Sequence, residues 1–444
     1  MAAGALQGCP SVTLADIRTP PLQQCPLALP ALSTVVLSTI RARNAIVHTT
    51  TTTTAEYLHL QYPLSGEGCV KVTCLQENLA RGLQIVGRAV SSRGTLPILS
   101  NVLLRTDAGR LKLTATNLEI GVNCWVPAKV EDDGAITVPA RLFTDFVNNL
   151  PAGNIELSLN VRTKTLHLKS GQHEANMKGL DAEEFPIIPA IPEKPTTRIA
   201  QGTLRRMIRE VAFVAATDDS RPVLTGVLTT IAGDMITMAA ADPYRLSVRH
   251  GRVLERLEDP IEVIVPARSY MELERVLGDV DEPVDVFVTP NKSQVIFHTN
   301  EADIVSRIIE GQFPNYKQVI PSAAPQTRVV VQREELLNAT RLASFFARDA
   351  ANIVRFQVDP SHEAPLVISA TAAEVGDQTG RVDATVDGQA TTIAFNSRFV
   401  SEALGSLTAP EITLELGGPL APGVLKVVGD ESYLHVVMPL RIPS

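Results

Sequence analysis

Apolar positions along this chain follow one period, then another, and the order of the two repeats. Leu79, Leu83 and Val86 fall at steps of four and three, which gathers them on one face of a helix. The stretch "NVLLRTDAGRLKLTATN" then alternates apolar and polar residues about a turn, the mark of antiparallel strands with one face buried. Phe143, Phe146 and Leu150 restore the helical spacing. The same order returns with Leu204, Ile208 and Val211, then "GVLTTIAGDMITMAAAD", then Tyr270, Leu273 and Leu277. It returns again with Leu336, Ala339 and Ala343, then "VRFQVDPSHEAPLVISAT", then Val400, Ala403 and Leu407. The two helical faces start 64, 66 and 64 residues apart in the three copies.

Residue identities recur with the pattern. VPAR introduces the second helix at 138–141 and again at 265–268, and Asn396, Ser397 and Arg398 hold the place of its last three residues in the third copy. The arginines Arg141, Arg268 and Arg398 are 127 and 130 residues apart, a period of whole domains and not of solenoid units. "EEFPIIP" at 183–189 and "GQFPNYKQVIP" at 311–321 end the first two copies alike. The pattern predicts an α+β protein of three tandem domains, 70–193, 194–323 and 324–444, each with two helices packed on one side of antiparallel sheet.

Residues 1–69 stand outside the pattern. They hold "RTPPLQQCPLALPAL", six consecutive threonines at 49–54 and few acids, without sustained periodicity. "LALPALSTVVLSTI" is similar to a signal-peptide core, but Asp16 and a single basic residue, Arg18, precede it and Pro30 interrupts it. Three readings stay open: a mis-assigned start whose true position is Val70, a disordered extension, and a targeting segment.

Charge and chemistry narrow the function. Against 40 Lys and Arg stand 48 Asp and Glu, a net charge of −8, so bulk positive charge does not hold nucleic acid, although a local basic face can. Such a face is suggested by Arg81, Arg88, Arg205, Arg206, Arg209, Arg268, Arg275, Arg333, Arg341 and Arg398, which recur in or beside the helices among acids such as Glu210, Glu272 and Glu274. Aromatic residues make up 4% and follow the core pattern, leaving no stacking platform for single strands. The acids Glu131, Asp132 and Asp133, the pair Asp218 and Asp219, and the pair Glu183 and Glu184 read as turn acids and not as a two-metal site. No phosphate-cradling GxxxxGK[ST], HExxH or CxxC occurs, and the eight histidines do not cluster. The expectation is no catalysis, no cofactor and no metal. Cys74 and Cys124 read as reduced thiols of a cytosolic protein, and no apolar run is long enough to span a bilayer.

Taken in order, "RGTLPILSNVLL", "TATNLEIGV", "TVPARLFTDFVNNLP", "EEFPIIP", "IVPARSYMELERVL", "GQFPNYKQVIP" and "YLHVVMPLRIPS" resemble the bacterial replicative sliding clamp family, the beta subunit of DNA polymerase III. The resemblance implies a head-to-tail homodimer whose six domains close a ring around double-stranded DNA. Helices would line the hole and sheets form the outer wall. It implies a cytoplasmic processivity factor without a membrane anchor. This factor tethers the replicative polymerase and clamp loader through a short linear peptide motif. The alternative within the family is a paralogous clamp for repair or drug resistance, and outside it a non-DNA scaffold of the same fold.

Carried over by motif, Arg93 in "SSRGTLPIL" and Arg221 in "TDDSRPVLTG" are the DNA-binding arginines. The partner-peptide groove takes Leu224, Arg245, Leu246, Pro314, Val319, Asn396 and Phe399, with Val436, Val437, Met438, Pro439, Leu440 and Arg441 from the final segment. Its ligand would be a peptide with a glutamine and a following Leu or Phe anchor. Departures from the family pattern fall at Ala241, Pro243 and Tyr244, where many members have threonine, a small residue and histidine. Phe399 replaces a frequent tyrosine, and Pro222 and Val223 stand where some members carry tyrosines.

Overall fold

A computed structural model describes residues 71–91, 96–218, 220–348 and 351–441; the questions raised by residues 1–69 lie outside it. Among the described residues, α1 (Gln76–Val86), α2 (Ala140–Asn148), α3 (Gln201–Val211), α4 (Ala267–Val276), α5 (Arg333–Ala347) and α6 (Ser397–Ser406) supply two helices to each repeat. Their apolar faces are the predicted ones, with Leu79, Leu204, Leu273, Leu336 and Ala403 fully buried. The face of α2 is shifted: Phe143 and Val147 are buried while Phe146 only leans on the core. Leu150, Leu277 and Leu407 lie just past their helices and are buried all the same.

The recurring VPAR is a strand-to-helix hinge. Pro139 and Pro266 take extended backbone at the N-cap, so the chain turns from strand to helix at once, at a position where an N–H would find no helical partner. In the third copy Asn396 takes that place by different chemistry, its side chain accepting the Arg398 backbone N–H at 3.0 Å.

The sheets do not respect the repeats, which the sequence did not reveal. A five-stranded sheet and a four-stranded sheet lie within the first and third copies. The other two bridge copies. An eight-stranded sheet joins Ile120–Val126 of the first repeat to Ala302–Arg307 of the second, with Val122 opposite Ile304. A seven-stranded sheet joins Arg245–Pro266 of the second to Asp430–Val437 of the third, with Leu246 opposite Val436. The first and second repeats share one core, and the third has its own.

The repeat ends fold over the outside of these bridging sheets. Phe185 packs with Ile98 and Leu103, and Ile188 and Ile191 lie against Phe287, Ile296 and Val305. A Cβ at position 121 would come within 2.8 Å of Ile188 Cδ1, which accounts for Gly121. Phe313 makes the corresponding contact on the seven-stranded sheet.

Candidate functional site

The outer face of the second bridging sheet forms the candidate groove. Period-two alternation brings Leu246 and Val248 from one strand beside Leu434 and Val436 from the other, with Leu224, Leu228, Ile264, Phe313 and Val424 around them. Leu224, Leu246 and Val436 therefore meet as expected. Val437 does not: it points to the opposite face, into the core of the third repeat, with Phe399 packed against that same core. Pro314 and Val319 are exposed on the segment after Phe313. Met438, Pro439 and Leu440 are half-buried and Arg441 is exposed. This final segment is pegged at two points. The Met438 N–H donates to the Tyr244 carbonyl at 2.8 Å and the Leu440 N–H to the Ala394 carbonyl at 2.8 Å.

Arg245 lies opposite Val437 in the ladder, and so braces the sheet from the face behind the candidate groove floor. It is only 8% exposed and spends its donors internally, Nε on Asp242 Oδ2 at 2.9 Å, Nη1 on Glu402 Oε2 at 2.5 Å and Nη2 on the Phe213 carbonyl at 3.3 Å. Phe399 lies 4.5 Å and Phe213 5.5 Å from its guanidinium carbon. Tyr244 stacks on Phe399 and His435 on Phe213, so aromatic rings extend the cluster around Arg245 on both sides. Burial, then the nearby Arg245, pushes the His435 pKa down to about 3, leaving a neutral ring. Burial works against ionisation of Glu402, but hydrogen bonds from Arg398 and Arg245 hold its carboxyl below the usual range. Asn396 spends its side chain on the α6 cap.

A second buried arginine locks the same seam. Arg249 Nη1 meets Asp430 Oδ2 at 2.8 Å and Nε lies 3.2 Å from Glu210 Oε2. Burial raises the Glu210 carboxyl to about 7, with Arg249 pulling the other way. Phe213, Asp242, Glu402 and His435 were not foreseen as the surroundings of Arg245. Arg245 and Glu402 are 157 residues apart, and nothing local in sequence joins them. Asp242 alone had a signal, for it repeats Asn117. Asp242 Oδ1 accepts the N–H groups of Tyr244 and Arg245 at 2.7 and 2.9 Å, as Asn117 Oδ1 accepts those of Glu119 and Ile120 at 3.0 and 2.8 Å.

Of the two loop arginines, Arg93 lies outside the described residues. Arg221 is exposed at the cap of the turn Pro222–Thr225, where its carbonyl accepts the Leu224 N–H at 2.9 Å. One short turn thus carries both an exposed arginine and a side chain of the groove floor. On the helices, most arginines are already paired. Arg81 lies 2.7 Å from Glu301, Arg205 and Arg209 lie 3.5 and 3.0 Å from Glu274, and Arg275 lies 2.8 Å from Glu272. Among the described residues no group of His, Cys, Asp and Glu is arranged to hold a metal, and no helix is long and apolar enough to cross a membrane.

Comparison with known proteins also divides this region into three parts. Family models of the DNA polymerase III beta subunit match in order, the N-terminal domain at residues 70–189, the central domain at 198–315 and the C-terminal domain at 317–441. The beta sliding clamp of Synechococcus elongatus is 33% identical over 379 residues, covering 84% of this chain and 100% of that one. That of Bacillus subtilis is 28% identical over 382 residues with the same coverage. The crystal structure of the Bacillus subtilis DNA polymerase sliding clamp superposes with a TM-score of 0.78 at 28% identity, over 84% of this chain and 100% of that chain. A Pseudomonas aeruginosa sliding clamp bound to griselimycin superposes at 0.77 and 28%, with the same coverage. With all three domains matched in order and relatives covered end to end, the chain belongs to the DNA polymerase III beta-subunit family, the bacterial beta sliding clamps.

Proposed function

We propose that this chain is a replicative sliding clamp. Two copies form a ring around duplex DNA and tether the replicative polymerase and clamp loader to it. It is a non-catalytic processivity factor that works in the cytoplasm. The observation that carries this reading is the match of all three beta-subunit domains over 70–441. Relatives named as beta sliding clamps favour it over the paralogue reading. A ring held on DNA by topology also explains how a chain of net charge −8 can stay on a polyanion. The edge strands His173–Lys178 and Gly376–Val382, at opposite ends of the repeat series, are suited to pairing between copies.

The deciding experiment is retention on DNA. Clamp loaded onto a nicked circle should stay bound for long times and be shed when the circle is linearised. Equal dwell on both forms would sink the ring. Docking is tested separately with a fluorescent peptide carrying a glutamine and a Leu-Phe anchor. Met438→Ala or Leu440→Ala should weaken its binding by about 1–3 kcal/mol. Unchanged affinity in both would mean that the groove lies elsewhere.

A further inference from the structure

Three strands of the eight-stranded sheet bring like charges together on its outer face, the face away from the helices. Arg105 of Asn101–Asp107 stands opposite Lys112 of Arg110–Thr116, and Lys112 stands opposite Trp125 of Ile120–Val126. Directly opposed residues share a face and lie about 5 Å apart, so two cations in register repel. Other register partners on this face are complementary: Arg198 meets Asp285 at 2.7 Å and His298 meets Asp303 at 2.6 Å. Among the described residues no carboxylate lies within 4.0 Å of Arg105, Arg110 or Lys112.

Trp125 turns this repulsion into a built surface. Its indole N–H donates to Asp107 Oδ2 at 2.9 Å, which fixes the half-buried ring. Lys112 Nζ and the Arg110 guanidinium carbon then lie 4.9 and 5.5 Å from the ring centroid. The ring thus holds two cations in place beside an exposed third, Arg105, and their ordering is complete before a ligand arrives. Asp107 is the register partner of Arg110, yet it serves the indole.

We propose that this face is a docking surface for an acidic segment of a partner protein, extended and with carboxylates at alternate positions. Three cations without a carboxylate of their own call for anions, and guanidinium groups suit the fork of a carboxylate. Arg110 and Lys112 are two apart on one strand, about 7 Å, the repeat that an extended peptide gives its own alternate side chains. A nucleic-acid strand fits less well. The turn through Asp132 and Asp133 leads into Ala135, which lies opposite Arg105 on its other side. A polyanion running past the patch meets these acids, whereas a short acidic segment ends before them. The Trp125 ring also carries cations where a base would have to stack.

The test is fluorescence anisotropy of a short labelled peptide alternating Glu with Ser, titrated with the full chain at low salt. The same peptide with Gln for Glu, and a single-stranded oligonucleotide of equal charge, are the controls. The chain should bind the Glu peptide and not the Gln peptide. Arg105→Ala with Lys112→Ala should weaken binding of the Glu peptide roughly fivefold, the size expected for two exposed ion pairs. Arg105→Glu separates binding from folding, because it sets an opposite charge before Lys112. It should lower affinity while raising the melting temperature. If the double variant misfolds, Arg105→Glu carries the binding test alone. No binding of the Glu peptide, equal binding of the Gln peptide, or unchanged affinity in the folded variants overturns the proposal. So does a melting temperature that Arg105→Glu fails to raise, since Arg105 and Lys112 would then not repel. An oligonucleotide whose binding depends on Arg105 and Lys112, while that of the peptide does not, reassigns the face to nucleic acid and rejects the acidic partner.

Discussion

Single residues explain why the copies look both alike and different. Pro139, Pro266 and Asn396 perform one task, turning strand into helix, by two chemistries, so identity decayed at that place while geometry did not. The sequence shows the proline hinge plainly but conceals the destination of Arg245, whose partners come from residues 213, 242 and 402. Arg245→Ala strips a buried partner from two carboxylates and should cost about 3–5 kcal/mol, read as a lower denaturation midpoint of the third repeat. A second pair carries a pH signature. The hydrogen bond to Asp303, at 2.6 Å, raises the His298 pKa above its ordinary value against the effect of burial. A raised folded pKa means that the stabilisation is complete below the ordinary imidazole value and is lost as pH rises through the folded one. The stability gap between wild type and His298→Asn should therefore shrink from about pH 6.5 upward, followed by melting temperature across pH. A gap that widens with pH would assign the wrong sign to the pair.

Elements were the most legible level. Steps of three and four located the six helices found among the described residues, since burial of one face sets that spacing. Alternation located strands and their faces, but it is silent on which strand lies alongside. Val436 and Val437 are adjacent and equally apolar, yet one joins the groove floor and the other the third core. Only the register against Leu246 and Arg245 decides between them. On α5, Leu342 and Phe345 are 56% and 58% exposed, one turn apart on a helix that packs across the edge strand Gly376–Val382. We propose that in the ring they face the neighbouring copy, because they flank the edge strand suited to pairing. Leu342→Asp with Phe345→Asp should shift sedimentation from dimer to monomer at micromolar concentration with little change in melting of the monomer, since neither side chain belongs to the intrachain core. A dimer as stable as wild type would remove α5 from the interface.

For the whole molecule, the order of motifs made the family legible, because seven short segments in fixed succession rarely recur by chance. The merging of cores was not legible, since it depends on pairing between strands far apart in the chain. It predicts two unfolding transitions where three repeats suggest three, one for the joint core of the first and second repeats and one for the third. Trp125, the single tryptophan, reports the first of these by fluorescence, while calorimetry sees both. Phe356→Ala, which hollows the third core, should move the calorimetric transition that the tryptophan does not follow. The bridging sheets have a mechanical consequence as well. Both seams inside the chain are hydrogen-bonded ladders, and one is riveted by buried arginines. Bending one copy at a seam would therefore have to shear a ladder, and at the second seam the buried arginine pairs too, so each half of the hoop should flex as a single leaf spring.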